Sequence, residues 1–283
     1  MSWSDFLLIL TAAISFSTPL ILAAMGELIV ERAGIVNIGI EGMMLAGALG
    51  AYWVASIYGP VAGLLGAIVF ACVLVIPFII ATLFFAADQI VTGTGINLLS
   101  LGLTGMIYNR IAANMNSNVA GLDKSWMLIL TGLLTVMVII FVRYTRAGLG
   151  LIAIGESRDS ARSAGVAVRR YQACAILFGA LTAGLAGAYS SIVYTRSFIE
   201  NMIDGAGFLA LAIVIFGRWK PTGVIVAGLF FGLIRAVANH LETKPGFSPM
   251  MLRSFSMLPY VISLAALAGL AGKSHAPAEL GRN

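Results

Sequence analysis

Long apolar runs alternate with short polar segments along the whole chain. Because a helix needs about 20 apolar residues to cross a bilayer, each run of that length predicts a membrane-spanning helix. The predicted segments are approximately 6–25, 36–57, 61–84, 92–112, 126–142, 171–194, 206–217, 222–240 and 256–272, of which 206–217 is short for a full span. The pattern therefore predicts an all-α fold, a polytopic transmembrane bundle of about 8–10 membrane segments.

The composition agrees with one membrane domain and no soluble one. Of the 283 residues, 60% are hydrophobic and 10% are charged, and no polar stretch is long enough to fold by itself. The first apolar run, from Phe6 to Met25, follows residues that lack the basic region of a signal peptide. We therefore expect this run to be retained as a helix, within a single transmembrane domain over residues 1–283.

The longest polar stretch is Arg143–Arg170, which contains six of the 17 basic residues. Lys and Arg accumulate on the cytoplasmic side of membrane proteins, so this loop is predicted to be cytoplasmic and the N-terminus to lie outside. The net charge of +5 follows from this distribution, and nucleic-acid binding is not expected. Alternation of the spans places further basic residues on the same side, namely Arg32, Arg218, Lys220, Lys273 and Arg282.

Within this loop, Ser157 is predicted to cap a short helix that runs to Ala164 and ends at Gly165. Ala161 and Ala164 form a small apolar edge flanked by charged side chains. A short amphipathic helix held between two spans suits a docking surface for a soluble partner. In the alternative, the loop only anchors the chain by the positive-inside rule, which would need the basic residues alone.

Polar residues also lie inside an apolar run at Gly34–Gly42, GIVNIGIEG, where three glycines loosen the start of a helix. A carboxylate in a span is costly unless it faces a cavity or a partner. Glu41 is therefore a candidate for the substrate path, together with Asn37. The alternative is a structural role in which Glu41 caps a helix or pairs with Arg32.

A second candidate for the path is Asp88–Asn97, DQIVTGTGIN, where Thr and Gly alternate at the start of a helix. Irregular polar backbone there would face a central path, with Asn97 as the candidate side chain. The alternative is a simple turn with a helix cap at Thr92 or Thr94.

A third candidate is Gly205–Gly223, in which charged residues and Pro221 interrupt a short apolar run that contains Phe208. Short segments broken by Gly and Pro mark the translocation pathway in many transporters. The alternative is a thin helix followed by an interfacial Trp and Lys anchor.

Sequence motifs for enzymatic chemistry are missing. A phosphate-binding loop needs Gly-x-x-x-x-Gly-Lys-Ser or Thr, and the nearest approach, Gly272-Lys273-Ser274, has Leu267 where the first glycine should be. The chain is therefore not expected to hydrolyse ATP, and we expect no metal or cofactor in it. The two cysteines lie in apolar runs, where thiols behave as small buried hydrophobic groups.

Three separated stretches of the chain resemble one family. They are Glu31–Ala55, ERAGIVNIGIEGMMLAGALGAYWVA; Thr145–Tyr171, TRAGLGLIAIGESRDSARSAGVAVRRY; and Gly205–Pro221, GAGFLALAIVIFGRWKP. In the same order, they resemble the permease subunits of ABC importers for nucleosides and simple sugars. These permeases group with those for branched-chain amino acids and ribose, and the resemblance covers nearly the whole chain.

The resemblance implies a multi-pass subunit of the bacterial cytoplasmic (inner) membrane, surrounded by lipid. Its implied partners are an ABC ATP-binding subunit, a second homologous permease, and an extracytoplasmic substrate-binding protein or lipoprotein. ATP would be bound by the partner subunit, and residues 143–170 would be the cytoplasmic coupling loop. Where the family often has Asn-Pro after Gly-Glu, this chain has Ser157 and Arg158. The implied coupling residues are Gly155, Glu156, Ser160, Ala161, Ala164 and Gly165.

We therefore expect the chain to import nucleosides, with ribose- or galactose-type sugars as the alternative within the same class. An ion-coupled secondary transporter would need charged groups inside the membrane. The sequence offers Glu41 as the one deep carboxylate, with Asp88 at a boundary, which disfavours that class. A membrane enzyme is disfavoured because no catalytic constellation is recognisable.

Overall fold

The computed structural model describes residues 3–112, 121–242, 257–258, 260–262 and 276–282. Within these ranges the regular secondary structure is helical. The helices are α1 (Trp3–Arg32), α2 (Ile40–Tyr58), α3 (Pro60–Ile79), α4 (Gln89–Ile111), α5 (Lys124–Tyr144), α6 (Arg146–Glu156), α7 (Arg158–Ser163), α8 (Val168–Ala188), α9 (Ala206–Phe216) and α10 (Pro221–Glu242). Helices α3 and α8 continue as π-helical segments over Ile80–Phe84 and Tyr189–Thr195.

Seven of the described helices, α1 to α5, α8 and α10, are long and apolar enough to cross a membrane. This confirms the predicted all-α, polytopic bundle. The largest differences in helix bounds are near the start of the chain, where α1 continues to Arg32 and α2 begins only at Ile40. The predicted segment 256–272 lies outside the described residues apart from 257–258 and 260–262.

Local capping explains where α4 begins. The Asp88 carboxylate accepts hydrogen bonds from the backbone N–H groups of Ile90 and Val91, each 2.9 Å long, which satisfies donors that a helix start leaves unpaired. The caps predicted at Thr92 or Thr94 are therefore wrong. Both threonine hydroxyls instead donate to backbone carbonyls one turn earlier in the chain.

The core of the bundle forms where α2 packs on α3 and α8, and where α1 packs on α8 and α10. Small residues at the contact allow the helix backbones to approach closely. A Cβ atom at Gly47 would lie 2.4 Å from the Cα of Gly184, and one at Gly187 would lie 1.9 Å from the carbonyl oxygen of Met44. The small-residue spacing along α8 therefore serves helix packing.

Basic residues from distant segments meet at one end of the bundle, here called the basic end. Arg32 at the end of α1 donates from Nε to the carbonyl oxygen of Trp219 at 2.9 Å. Arg158 in the long loop donates to the carbonyl oxygens of Gly34, at 3.3 Å, and Arg282. This grouping agrees with the predicted distribution of basic residues, and from the positive-inside rule we expect the basic end to face the cytoplasm.

Helix α9 spans only part of the bundle. Its 11 residues cover about 16 Å at 1.5 Å per residue, roughly half of a bilayer core. Just beyond its C-terminus, the Trp219 side chain donates a hydrogen bond to Glu31 at the basic end. The N-terminus of α9 therefore lies deep inside the bundle, as the short apolar run predicts.

Helix α2 also begins deep inside the bundle. Residues 33–39 follow α1 and form no regular helix, and they run back along α1, because the Asn37 N–H donates to Glu27 at 3.1 Å. Glu27 lies more than one turn before Arg32, the last residue of α1. The predicted loosening of this helix start by glycine is confirmed, and it places Glu41 inside the bundle with a side chain that is 9% exposed.

Candidate functional site

Two places in the fold combine irregular backbone with polar side chains. The first is the midplane junction, formed by residues 37–42, 97–100 and 204–207, where α2 and α9 begin. The second is the coupling segment, residues 146–168 at the basic end, which contains α6 and α7. Within the described ranges, no group of three or more His, Cys, Asp or Glu is placed to hold a metal ion.

Glu41 ties the two helix starts of the midplane junction together. Its Oε1 accepts a hydrogen bond from the Gly205 N–H at 2.8 Å, and its Oε2 accepts one from the Gly207 N–H at 2.7 Å. A carboxylate is favoured there because the N-terminus of α9 carries the positive end of the helix dipole. The alternative of an ion pair with Arg32 is wrong, since Arg32 binds the Trp219 carbonyl. Glu41 instead caps a helix more than 160 residues away.

Asn97 on α4 satisfies the backbone at the start of α2. Its Oδ1 accepts a hydrogen bond from the Gly42 N–H at 2.8 Å, and its Nδ2 donates to the Ile38 carbonyl at 2.9 Å. Ser100, one turn further along α4, donates to the Gly42 carbonyl at 2.6 Å. Backbone groups without a helical partner are costly inside a membrane, so these side chains permit α2 to start where it does.

Asn37 belongs to the same junction but lies behind it, against α1. Its side chain is fully buried, and its Nδ2 lies 3.5 Å from the sulfur of Met43. Among the described residues, neither its Oδ1 nor the Glu27 Oε2 has a hydrogen-bond partner. The structure therefore brings Asn37 to the junction as a packed residue.

Phe208 does not join the other three residues predicted for the path. It lies on the first turn of α9, but its side chain is 47% exposed on the outside of the bundle. A place for Phe208 on the substrate path stays a prediction.

The sequence pattern did not indicate two buried carboxylates. Glu27 and Glu31 on α1 are 0% and 3% exposed, whereas the sequence pattern ended the first helix near residue 25 and left Glu41 as the one deep carboxylate. The signal available was the uninterrupted helix-compatible sequence from Met25 to Arg32. Glu31 accepts a hydrogen bond from the Trp219 side chain, which fastens α1 to the end of α9.

The coupling segment contains the short helix that the sequence predicted. Ser157 is the cap of α7, and its hydroxyl oxygen accepts a hydrogen bond from the Ser160 N–H at 3.3 Å. After the cap residue Ala164, Gly165 has a φ of +83°, a conformation that favours glycine. A second helix, α6, was not predicted. Thr145 caps it, and its buried side chains Leu151 and Ile154 recur at helical spacing.

Of the residues that the resemblance implies for coupling, some are buried against the bundle and others are exposed. Gly155 and Ala161 are buried: a Cβ at position 155 would lie 2.3 Å from the Arg32 carbonyl oxygen, and Ala161 packs with Ile154 and Val168. The expectation that Ala161 and Ala164 form one exposed edge is therefore wrong. The residues that remain exposed on the outer face are Glu156, Ser160, Ala164 and Gly165.

The end of the chain lies against the coupling segment. The Glu279 N–H donates to the Gly155 carbonyl at 2.8 Å, and the Glu279 carboxylate lies 3.7 Å from Arg158 Nε. The Arg282 carbonyl accepts hydrogen bonds from Arg158 and from Gln89 at the start of α4. Burial lowers the pKa of the Arg158 guanidinium from its ordinary value, and the Glu279 charge acts in the opposite direction. Residues 276–282 thus connect α4 with the coupling segment.

The chain is similar to known transport proteins along most of its length. The family described as branched-chain amino acid transport system / permease component matches residues 9–267. The nucleoside ABC transporter permease protein NupC of Lactococcus lactis subsp. cremoris is 31% identical over 95% of this chain and 93% of its own length. The guanosine ABC transporter permease protein NupQ of Bacillus subtilis is 29% identical over 95% and 94%.

A third relative is a putative glucose ABC transporter permease protein of Haloferax volcanii. It is 33% identical, over 81% of this chain and 76% of its own length. No solved structure matches the chain.

Proposed function

Because the chain belongs to the branched-chain amino acid transport system / permease component family, we propose that it is the permease subunit of an ATP-driven ABC importer for nucleosides. The observation that carries this proposal is the similarity to permeases named for nucleosides and guanosine along 95% of the chain. The described helices agree with a multi-pass protein of the cytoplasmic membrane.

Within such an importer, the coupling segment would receive force from an ATP-binding subunit. Its exposed residues Glu156, Ser160, Ala164 and Gly165 offer a small, polar surface at the basic end. Behind that surface, Gly155 and Arg158 contact α1 and the segment after it. Movement of the coupling segment would therefore pass directly to the helix that borders the midplane junction.

At the midplane junction, α2 and the short helix α9 begin inside the bundle, and side chains hold their starts. Discontinuous helices of this kind line the substrate path in many transporters because their unwound ends can move as hinges. Glu41 joins α2 to α9, and Asn97 joins α2 to α4. We expect these bonds to hold one state of the path and to rearrange as access alternates.

The complete system would contain further subunits. ATP hydrolysis is assigned to an ABC ATP-binding subunit, in agreement with the missing phosphate-binding motif. A second homologous permease would complete the path, and an extracytoplasmic substrate-binding protein or lipoprotein would deliver the substrate. Selectivity would then rest largely on that binding protein, with this chain providing the passage.

A simple sugar is the second candidate substrate, favoured by the 33% identity to a putative glucose permease. The two candidates are separated by uptake of labelled guanosine, adenosine, uridine, ribose and glucose into cells that lack the chain and cells that regain it. We expect the three nucleosides to accumulate only in cells that contain the chain. Equal nucleoside uptake in the two strains would reject the proposal, and restored uptake of sugars alone would favour the second candidate.

A further inference from the structure

A cavity of about 190 Å³ lies between α1, the end of α8, the start of α9 and α10. It is here called the outer cavity. A larger cavity of about 450 Å³ beside α5 and α8 is lined almost entirely by apolar groups, whereas the outer cavity combines charged, amide and aromatic side chains. The side chains that line the outer cavity include Phe16, Tyr194, Asp204, Arg235, Asn239 and Tyr260.

The outer cavity lies on the side of the midplane junction away from the basic end. Arg235 is 14 residues after Pro221, the first residue of α10, and therefore about 21 Å along the helix. Asp204 directly precedes Gly205, whose N–H is bound by Glu41. A solute that left the cavity toward the cytoplasm would reach the junction next.

A charged residue within a membrane span is costly and marks a functional site by default. Arg235 is such a residue, and its guanidinium lies 5.7 Å from the ring centroid of Phe16. The Phe16 and Tyr194 ring centroids are 5.5 Å apart. These groups give one wall of the cavity flat aromatic and guanidinium faces, on which a planar base can stack.

Another wall of the cavity provides hydrogen-bonding groups. Asp204 and Asn239 are exposed. Asp204 has a φ of +49°, which is unfavourable for a residue other than glycine, and its carbonyl accepts a hydrogen bond of 2.5 Å from the Tyr260 hydroxyl. Backbone held in such a conformation is typical of functional sites. A carboxylate placed in this way can accept hydrogen bonds from vicinal hydroxyl groups.

On these grounds we infer that the outer cavity is a subsite for a nucleoside on its way to the midplane junction. The base packs against the aromatic side chains of Phe16 and Tyr194 beside Arg235, and the ribose hydroxyls donate to Asp204. The inference rests on the proposed nucleoside import. It goes beyond that proposal because it assigns direct contacts with the transported substrate to this chain.

The test measures the concentration dependence of labelled guanosine and 2′-deoxyguanosine uptake in cells that express the complete transporter. In Asp204→Asn, the KM for guanosine should rise about tenfold, because the amide no longer offers a charged acceptor to the ribose hydroxyls. The KM for 2′-deoxyguanosine should rise less, so the preference for the ribonucleoside falls. In Phe16→Leu, both KM values should rise about tenfold through lost stacking.

Two matched variants control for general damage. Glu200→Gln removes an exposed acid in the same outer loop, and Phe230→Leu removes a ring that is 50% exposed on α10. Both should leave the KM values within about twofold, and immunoblots of membranes should show equal amounts of every variant.

Three outcomes are distinguishable. If Asp204→Asn and Phe16→Leu take up guanosine with unchanged KM values, the proposed subsite is wrong. The proposed import is not affected by that result. An equal loss for guanosine and 2′-deoxyguanosine in Asp204→Asn overturns the assigned ribose contact. Failure of the wild-type transporter to take up any nucleoside overturns the proposed function, and the subsite with it.

Discussion

The Glu41 carboxylate accepts a 2.7 Å hydrogen bond from the backbone N–H of Gly207, and so joins the first turn of α2 to the first turn of α9. There is no room for a side chain at this contact, since a Cβ at position 207 would lie 2.7 Å from the Glu41 Cα. Because both helices begin inside the bundle, Glu41 supplies the hydrogen-bond acceptors for backbone donors at the start of α9.

Replacement of Glu41 tests this contact. Glu41→Ala removes both acceptors of the Gly205 and Gly207 N–H groups, so we expect a loss of about 1–3 kcal/mol per unsatisfied donor. Glu41→Gln keeps one acceptor and should fall between the wild type and Glu41→Ala. Thermal unfolding of the purified transporter in detergent measures the order of the three proteins. Glu200→Ala provides the control, and a Glu41→Ala protein as stable as this control would contradict the capping role.

Asn97 is expected to be essential for the start of α2. Asn97→Asp keeps an acceptor for the Gly42 N–H but loses the donor to the Ile38 carbonyl, whereas Asn97→Leu loses both. Nucleoside uptake should therefore decrease in the order wild type, Asn97→Asp, Asn97→Leu. The matched control is Asn109→Leu, which changes an exposed asparagine near the other end of α4, outside the junction and the outer cavity. Uptake by Asn97→Leu at the wild-type rate would show that the junction tolerates unpaired backbone.

The two alanines of α7 should respond differently to a bulky residue. Ala164→Trp places an indole on the exposed face, and we expect it to abolish co-purification of the ATP-binding subunit while the chain still inserts in the membrane. Ala161→Trp overfills a buried position, and overpacking of this kind costs about 1–3 kcal/mol or more. It should lower the amount of folded chain.

The control for these alanine variants is Val226→Trp, at a position on α10 that is 68% exposed and outside the coupling segment. It should retain both the ATP-binding subunit and normal expression. Normal co-purification with Ala164→Trp would show that the ATPase docks elsewhere.

The contact between the chain end and the coupling segment should affect the efficiency of coupling. Deletion of residues 276–283 removes the bonds to Gly155, Arg158 and Gln89, and we expect more ATP hydrolysed per nucleoside imported. Glu279→Gln keeps the backbone bond to Gly155 and weakens only a partly exposed ion pair, so its effect should stay below about 1 kcal/mol. ATPase activity and uptake are measured together in proteoliposomes. An unchanged ratio in the deletion variant would limit these residues to a structural role.

Much of the architecture could be predicted from the sequence because the signals are local. The lengths of the apolar runs predict the spans, and the cluster of basic residues at Arg143–Arg170 predicts which segments share one end of the bundle. Ser157 and Gly165 predict both ends of α7, since a cap and a left-handed residue act within one turn. The short α9 follows from the apolar run before Arg218.

The candidate site depended on contacts that no local pattern reveals. Glu41 and Gly205 are 164 positions apart, and the sequence could not indicate that one caps the helix that follows the other. The same holds for the buried Glu27 and Glu31. Their burial depends on a chain reversal after Arg32 that the glycine-rich segment allows but does not require.

The sequence by itself therefore determined the membrane spans, both ends of α7 and which basic segments share one end of the bundle, because hydrophobic length, charge and capping act over a few neighbouring residues. Only the tertiary structure decided which polar groups meet, and which of Ala161 and Ala164 faces outward. The physical reason is that unpaired polar groups inside a membrane take whichever partner the packing of distant helices brings within hydrogen-bond distance.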